Sequence, residues 1–385
     1  MATSVAWSRE RPQPPPAVEG GEDPAPCADL CLHDFAFQWG GAERVFGELV
    51  RLSAASRVSV VAGDTALLRR HLPGRQVEQL DARIGSNLQS RLSVPRLARA
   101  LPRRRAIPGR MLCSSYSVAR WLRSEDPRLV YCHAPMRQIW HGFGDYTTGL
   151  NAQSLALRAF GSWLRSVDRA ATQRHDYVVV PSSRVADLLL HAYGTGPRAI
   201  VPPPVDDDYF AAELPAPGEH FVWVGRVVAP IKRLALLCKV FAGCRDRQLL
   251  VVGDGRSRRA IQKHAPPNVR FLGWRSPLEI RRLVASAQAL LLPSMEDFGL
   301  CAAEALALGT PVIVTRRAGI SSWVQAGATG IVAPWDYEGY RRAVLRFRRG
   351  ELAPPAQVRQ SARAFSRSGF RAAMRAAMKD LQWLP

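Results

Sequence analysis

Short apolar runs, each followed by a stretch of helical period, recur along most of the chain, and this alternation is the signature of a parallel α/β sheet. In the first half Asp29–Phe35, Val58–Ala62, Leu129–His133 and Tyr177–Pro181 read as strands, with Ala42–Leu52, Leu155–Thr172 and Val185–Ala192 as helices. A second series follows, with strands expected at Phe221–Gly225, Leu249–Gly253, Val269–Gly273, Ala289–Pro293, Pro311–Thr315 and Gly330–Ala333. Between the two series stand Pro202, Pro203 and Pro204 and then Asp206, Asp207 and Asp208, too stiff for a helix and too acidic for a core strand. At 385 residues the chain exceeds the ~250–300 at which single cores stop growing. The reading is therefore two doubly wound α/β domains, 27–200 and 211–360, joined by a link at 201–210. Residues 1–26, rich in proline, are expected to form a loose tail. In 361–385, Phe365, Phe370, Met374 and Met378 recur at helical spacing and predict a packed C-terminal helical segment that returns toward the first domain.

Charge narrows the partners. Against 32 Asp and Glu stand 53 Lys and Arg, a net charge of +21, and the only lysines are Lys232, Lys239, Lys263 and Lys379. So basic a chain is expected near an anion: a phosphorylated substrate, an anionic membrane face or nucleic acid. The last lacks support, because no aromatic-interleaved basic module or helix-turn-helix pattern is present. Seven cysteines without a CxxC pair read as small core residues in a reducing compartment, not as a zinc site. No apolar run approaches a membrane span, so the expected location is the cytoplasm, with peripheral membrane contact open. Arg91–Arg123, where Leu92, Val94, Leu97, Leu101, Met111, Trp121 and Leu122 sit among arginines, reads either as a membrane-surface segment or as a basic surface helix broken by prolines.

In an open parallel sheet ligands gather at the carboxyl ends of the strands, where helix N-termini present unpaired N–H groups. After Phe221–Gly225 come Arg226 and Lys232, two cations suited to a diphosphate. After Ala289–Pro293 come Glu296, then Phe298, Gly299 and Leu300 opening a helix, and Glu304 about two turns beyond Glu296. Carboxylates at these places suit sugar hydroxyls, and the N–H groups around Gly299–Cys301 suit phosphate. His133, after a strand and before Pro135, is a further candidate. A metal-binding use of Asp206–Asp208 is disfavoured by its place in a proline-rich link. A nicotinamide-dependent oxidoreductase is disfavoured because no GxGxxG follows the first strand.

These motifs make the chain similar to the retaining GT-B glycosyltransferases of family 4, from about Leu30 to Phe370. The resemblance rests on Glu296-x7-Glu304 with its Phe-Gly and Glu-Ala-Leu-Ala-Leu-Gly-Thr-Pro-Val-Ile continuation, on Gly225-Arg226 with Lys232-Arg233, and on Gly253-Asp254-Gly255 and Asn268–Gly273. Gly40-Gly41-Ala42-Glu43-Arg44 resembles the family's glycine-rich loop. Tyr131–Arg137 with Trp140, and Pro203–Asp206, resemble the mannosyltransferase subgroup that builds lipid-linked polysaccharides.

The resemblance implies two Rossmann-like domains with the nucleotide-sugar site in the cleft between them. It implies transfer of a hexose, mannose from GDP-mannose first and a UDP-sugar as the alternative, to a lipid-linked or polysaccharide acceptor, without a metal or other cofactor. Arg226 and Lys232 would neutralise the leaving diphosphate, Glu296 would orient the sugar, Glu304 would hold the ribose and His133 would contact the sugar. Gly40 and Gly41 would approach the diphosphate, beside Phe298, Gly299 and Leu300. One position departs from the family: where an acidic residue usually follows two glycines, this chain has Ser322. A non-catalytic scaffold on the same fold, or a basic nucleic-acid-binding protein, is the competing class.

Overall fold

The computed structural model describes residues 27–149, 152–172 and 176–383; the stretch expected to form the loose tail lies outside them. The described residues divide into two compact units, 27–201 with 371–383, and 202–370.

The first unit is built on seven parallel strands: β1 (Leu30–Ala36), β2 (Arg57–Gly63), β3 (Gln76–Gln79), β4 (Met111–Ser115), β5 (Leu129–Cys132), β6 (Tyr177–Val180) and β7 (Ala199–Ile200). They lie in the order β3-β2-β1-β4-β5-β6-β7. The second unit has β8 (His220–Val224), β9 (Gln248–Val252), β10 (Val269–Gly273), β11 (Leu290–Leu292), β12 (Val312–Thr315) and β13 (Gly330–Ala333), in the order β10-β9-β8-β11-β12-β13. Both sheets place the first strand of their series third from one edge, so the strand order reverses between β1 and β4 and again between β8 and β11. At such a reversal the loops diverge and leave a crevice at the carboxyl ends of the strands. Because helices cover both faces, the central strands are buried throughout rather than on alternate residues: all seven residues of β1 are buried, His33 and Asp34 among them, as are Leu290, Leu291 and Leu292 of β11.

Side-chain caps fix where the helices begin. Ser182 accepts from the Val185 N–H at the head of the helix Ser183–Tyr193, and Ser276 and Glu279 cap each other's backbone at the helix Pro277–Ala285, each arrangement contributing about 1 kcal/mol. All the cysteines are free thiols, six of them buried and Cys301 half-buried.

The stretch 91–123 is neither one amphipathic segment nor one broken helix. It contains most of the helix Asn87–Ala100, the 3-10 turns Leu101–Arg103 and Ala119–Trp121, and between them β4, a central strand of the sheet. Leu97, Leu101, Met111, Trp121 and Leu122 are all core residues, while Leu92 remains exposed. Arg120 is buried because Asp168 meets it: the carboxylate accepts from Arg120 Nε at 3.0 Å and Nη2 at 2.8 Å, and also from Trp121 Nε1, Trp140 Nε1 and the Tyr193 hydroxyl at 2.7, 2.7 and 2.8 Å.

Residues 202–211 pack within the second unit. Val205 is fully buried, and its N–H donates to the Phe365 carbonyl at 2.7 Å. The acidic run is occupied by arginines: Arg367 pairs with Asp206 and Asp207 at 2.7 and 3.3 Å, and Arg281 with Asp208 at 3.1 Å. The last helix, Arg367–Asp380, starts in the second unit and continues in the first, where Arg371 pairs with Glu48 at 2.7 Å and Asp380 accepts from the Tyr177 hydroxyl at 2.8 Å.

Gly253 follows β9 at φ +120°, and a Cβ there would lie 2.0 Å from the Gly225 carbonyl oxygen. Backbone cannot yield as a flexible side chain does, so Gly253→Ala is expected to cost roughly 3 kcal/mol or more. Chemical denaturation of the full chain measures this; an unchanged midpoint would contradict the close approach of the two loops.

Candidate active site

Each unit carries a group of candidate residues at its own strand-order reversal. In the second unit, β8 runs into Gly225 and Arg226, and β11 runs into Ser294 and Glu296. Sixty-four positions separate Lys232 and Glu296, yet the neighbouring strands bring Lys232 Nζ to 2.7 Å from Glu296 Oε1. The Ser294 hydroxyl donates to the same oxygen at 2.6 Å. The side chains are 25% and 20% exposed, so the pair is partly dry but reachable by a ligand.

The loop that bears Glu296 is held from behind. Its carbonyl accepts from the Gly319 N–H at 2.9 Å, and the Phe298 carbonyl accepts from the Ile320 N–H at 2.7 Å. Phe298 is buried edge-on against Phe365 at 5.6 Å. Gly299 then turns the chain at φ +109°, where a Cβ would meet Leu292 Cδ2 at 2.8 Å, and Leu300 starts the helix Leu300–Ala307. Sequence and sterics agree that only glycine suits this corner.

Glu304, half-buried, follows Cys301 on that helix. The Cys301 thiol is pushed up to about 12 by burial first and then by the charges of Glu296 and Glu304, with Lys232 opposing. One neighbourhood thus holds both carboxylates and the ammonium. Arg226 is exposed beside it in sequence, directly after β8. Arg233 is tied down, donating to the Pro293 and Trp335 carbonyls at 3.2 and 3.0 Å with its guanidinium 3.7 Å from the centre of the Trp335 ring. Ser322, at the departure from the family pattern, lies in the 3-10 turn Gly319–Trp323, the same turn that holds the Glu296 loop.

In the first unit, Gly40 precedes the helix Gly41–Ser53 and donates its N–H to Glu43 Oε2 at 3.0 Å. His133 follows β5; its N–H donates to the Ser115 carbonyl and its Nε2 lies 2.9 Å from Ser114 Oγ. Ser114 also meets His33, fully buried on β1 and stacked on Phe46 at 4.7 Å. Burial holds the His33 ring below its ordinary range, with Glu43 acting in the opposite sense. The neighbouring Asp34 accepts from the backbone N–H groups of Tyr116, Ser117 and Ala119 at 2.5, 2.8 and 2.5 Å, which shapes the turn after β4. Ser294, Gly319, His33 and Ser114 are additions that sequence reasoning did not single out. Ser294 and Ser114 sit at or just past strand ends, the one signal that could have drawn attention to them.

Two family models cover most of this architecture. Residues 39–209 match the one described as Glycosyltransferase Family 4, and residues 218–349 the one described as Glycosyl transferases group 1. The chain is 29% identical over 233 residues to a glycogen synthase of Mycobacterium tuberculosis, an alignment covering 55% of this chain and 52% of that protein. It spans about half the length of the curated relatives it matches. Among solved structures, the lipopolysaccharide outer core galactosyltransferase WaaB superposes with a TM-score of 0.66 at 17% identity, over 91% of this chain and 99% of that one. The Anabaena protein HepE in complex with UDP also gives 0.66, at 15% identity, over 91% and 100%. The fold is GT-B, two Rossmann-like domains in tandem. Its N-terminal and C-terminal parts are thus each similar to glycosyltransferases, through two separate family models.

Proposed function

We propose that the protein transfers a hexose from a nucleotide sugar to a lipid-linked or polysaccharide acceptor, with retention at the anomeric carbon. The observation that carries this reading is the Lys232–Glu296 pair at the strand-order reversal of the second unit. An ammonium paired with a carboxylate that Ser294 also holds forms a preorganised dipole for a ligand that is anionic at one end and rich in hydroxyls at the other. In this reading Lys232 and Arg226 take the diphosphate, and its charge is met by side chains without a divalent metal. Glu296 accepts from the sugar hydroxyls, and Glu304 from the ribose. The first N–H groups of the helix Leu300–Ala307 add positive potential at the phosphate, and Gly40 and Gly41, at the head of their own helix, are further candidates for phosphate contact. His133 meets the sugar. The leaving diphosphate itself takes the acceptor proton as the new glycosidic bond forms on the face the nucleotide leaves.

Mannose from GDP-mannose is the first reading for the donor, from the resemblance of Tyr131–Arg137 and Pro203–Asp206 to the mannosyltransferase subgroup. A UDP-hexose is the second, favoured by the UDP held by HepE. An amphiphilic acceptor and peripheral contact with an anionic membrane are supported by a cavity of about 300 Å³ in the first unit. Its lining combines Trp121, Leu122 and Val167 with Arg99, Arg103 and Arg123, and no carboxylate lines it among the described residues. No described helix is long and apolar enough to cross a membrane.

The test is turnover of GDP-mannose, UDP-glucose and UDP-galactose, followed as release of the nucleoside diphosphate with and without chelator. The expected result is turnover of one nucleotide class, unaffected by chelation, and stabilisation by its diphosphate of about 2.7 kcal/mol at ~100 times the dissociation constant. Absence of turnover and of stabilisation with every nucleotide would overturn the reading in favour of a non-catalytic scaffold.

A further inference from the structure

We propose that Ser114 and His33 set the position of the proton on His133, holding its ring neutral with the hydrogen on Nδ1, so that His133 meets the sugar as a hydrogen-bond donor. The proposal rests on the reading of His133 given above and adds two positioning residues to it.

The argument is one of donors and acceptors. His33 Nδ1 lies 3.0 Å from the Ser114 carbonyl oxygen, which can only accept, so Nδ1 must carry the hydrogen. The same Nδ1 lies 3.0 Å from Ser114 Oγ. Facing an N–H, that hydroxyl oxygen accepts, and its single hydrogen is left to point elsewhere. The remaining partner is His133 Nε2 at 2.9 Å. An Nε2 that accepts is unprotonated, and a neutral ring then carries its hydrogen on Nδ1. The chain of bonds runs in one direction, from His33 to Ser114 to His133.

The fold makes this direction durable. Parallel pairing of β1 and β4 sets His33 opposite Ser114 in register, and β5 brings His133 to the other side of β4. His33 and Ser114 are both fully buried, and Phe46 stacked on the imidazole fixes its plane. Burial disfavours the charged form of His33, so His33 Nε2 is left as an acceptor, and it has no hydrogen-bond partner. A protonated His33 would place a second, buried N–H where nothing accepts it. The neutral state of the first ring thereby protects the proton arrangement on the second.

The experiment is long-range proton–nitrogen correlation NMR on the full chain labelled with 15N-histidine, together with donor kinetics. In the wild type the His133 signals are expected to report a pyridine-type Nε2 and a protonated Nδ1. Ser114→Ala removes the donor, and the hydrogen is expected to move to Nε2. With it kcat should fall about tenfold, with KM for the donor within about twofold. Ser114→Thr keeps the hydroxyl and should restore both. A wild-type His133 protonated on Nε2, or on both nitrogens, overturns the proposal, as does a Nδ1 proton that stays in place in Ser114→Ala. A proton that moves while kcat holds shows that its position is immaterial to transfer and also overturns it. Absence of any sugar transfer by the wild type would instead remove the functional reading, and the NMR result would still decide where the proton sits.

Discussion

Lys232→Ala is expected to lower kcat/KM for the nucleotide sugar by about 10²–10³-fold, the cost of removing one preorganised donor from a site of developing charge. The fold should barely register the change. The Lys232–Glu296 pair is a fifth to a quarter exposed, and ion pairs in such positions contribute about 1 kcal/mol or less. Glu296→Gln should also lower transfer sharply, for a different reason. It leaves Lys232 with its charge and without its carboxylate partner, so the diphosphate no longer competes with Glu296 for the ammonium. The two variants are therefore expected to separate: both strongly impaired, one weakened toward the diphosphate and the other not. Initial rates over a range of donor concentrations and a thermal melt of each variant check the kinetic and stability halves. A variant that lost activity only by unfolding would remove the evidence for a site.

Asp168→Ala should produce the largest loss of stability. Asp168 is fully buried and accepts from four partners, Arg120, Trp121, Trp140 and Tyr193. Breaking a buried ion pair from one side costs about 3–5 kcal/mol, and each further donor left without an acceptor adds about 1–3 kcal/mol. The sum is comparable to the whole stability of a domain, about 5–15 kcal/mol, so the first unit is expected to lose its cooperative fold at ordinary temperature. Asp168→Asn keeps acceptor capacity on one oxygen and should lose less. Hydrogen exchange resolved along the sequence separates the units: exchange should rise across β4, β5 and β6 and stay low across β8, β11 and β12. Uniform protection in Asp168→Ala would contradict the network.

What the sequence made legible follows from burial. The central strands of parallel sheets are covered on both faces, so Leu249–Val252 and Ala289–Leu292 are continuous apolar runs that stand out against helical periodicity. The strands it concealed are those that lack such a run. β3 is Gln-Val-Glu-Gln, a sheet-edge strand with one apolar residue, and β7 has two residues. β4 occupies the centre of its sheet but is Met-Leu-Cys-Ser-Ser, set among arginines, and its neighbours carry helical spacing. Tertiary pairing, not local pattern, makes it a strand.

The site divides the same way. Glu296 and Glu304 were visible because their spacing is local, within one loop and helix. The contact of Lys232 with Glu296 is a product of β8 and β11 being sheet neighbours, and the bond from Ser114 to His133 of β4 lying beside β5. No spacing rule reports either. Arg120 was counted among surface arginines of a basic segment, and only the buried Asp168 explains why it is inside.

The most direct test of the central claim, that Lys232 takes the diphosphate while Glu296 serves the sugar, is calorimetric titration of the matching nucleoside diphosphate into wild type, Lys232→Ala and Glu296→Gln. Loss of one charge-assisted hydrogen bond predicts binding about tenfold weaker or more in Lys232→Ala. Glu296→Gln should bind at least as tightly as wild type. Equal affinity for wild type and Lys232→Ala, or weakening of the same size in both variants, would contradict the assignment.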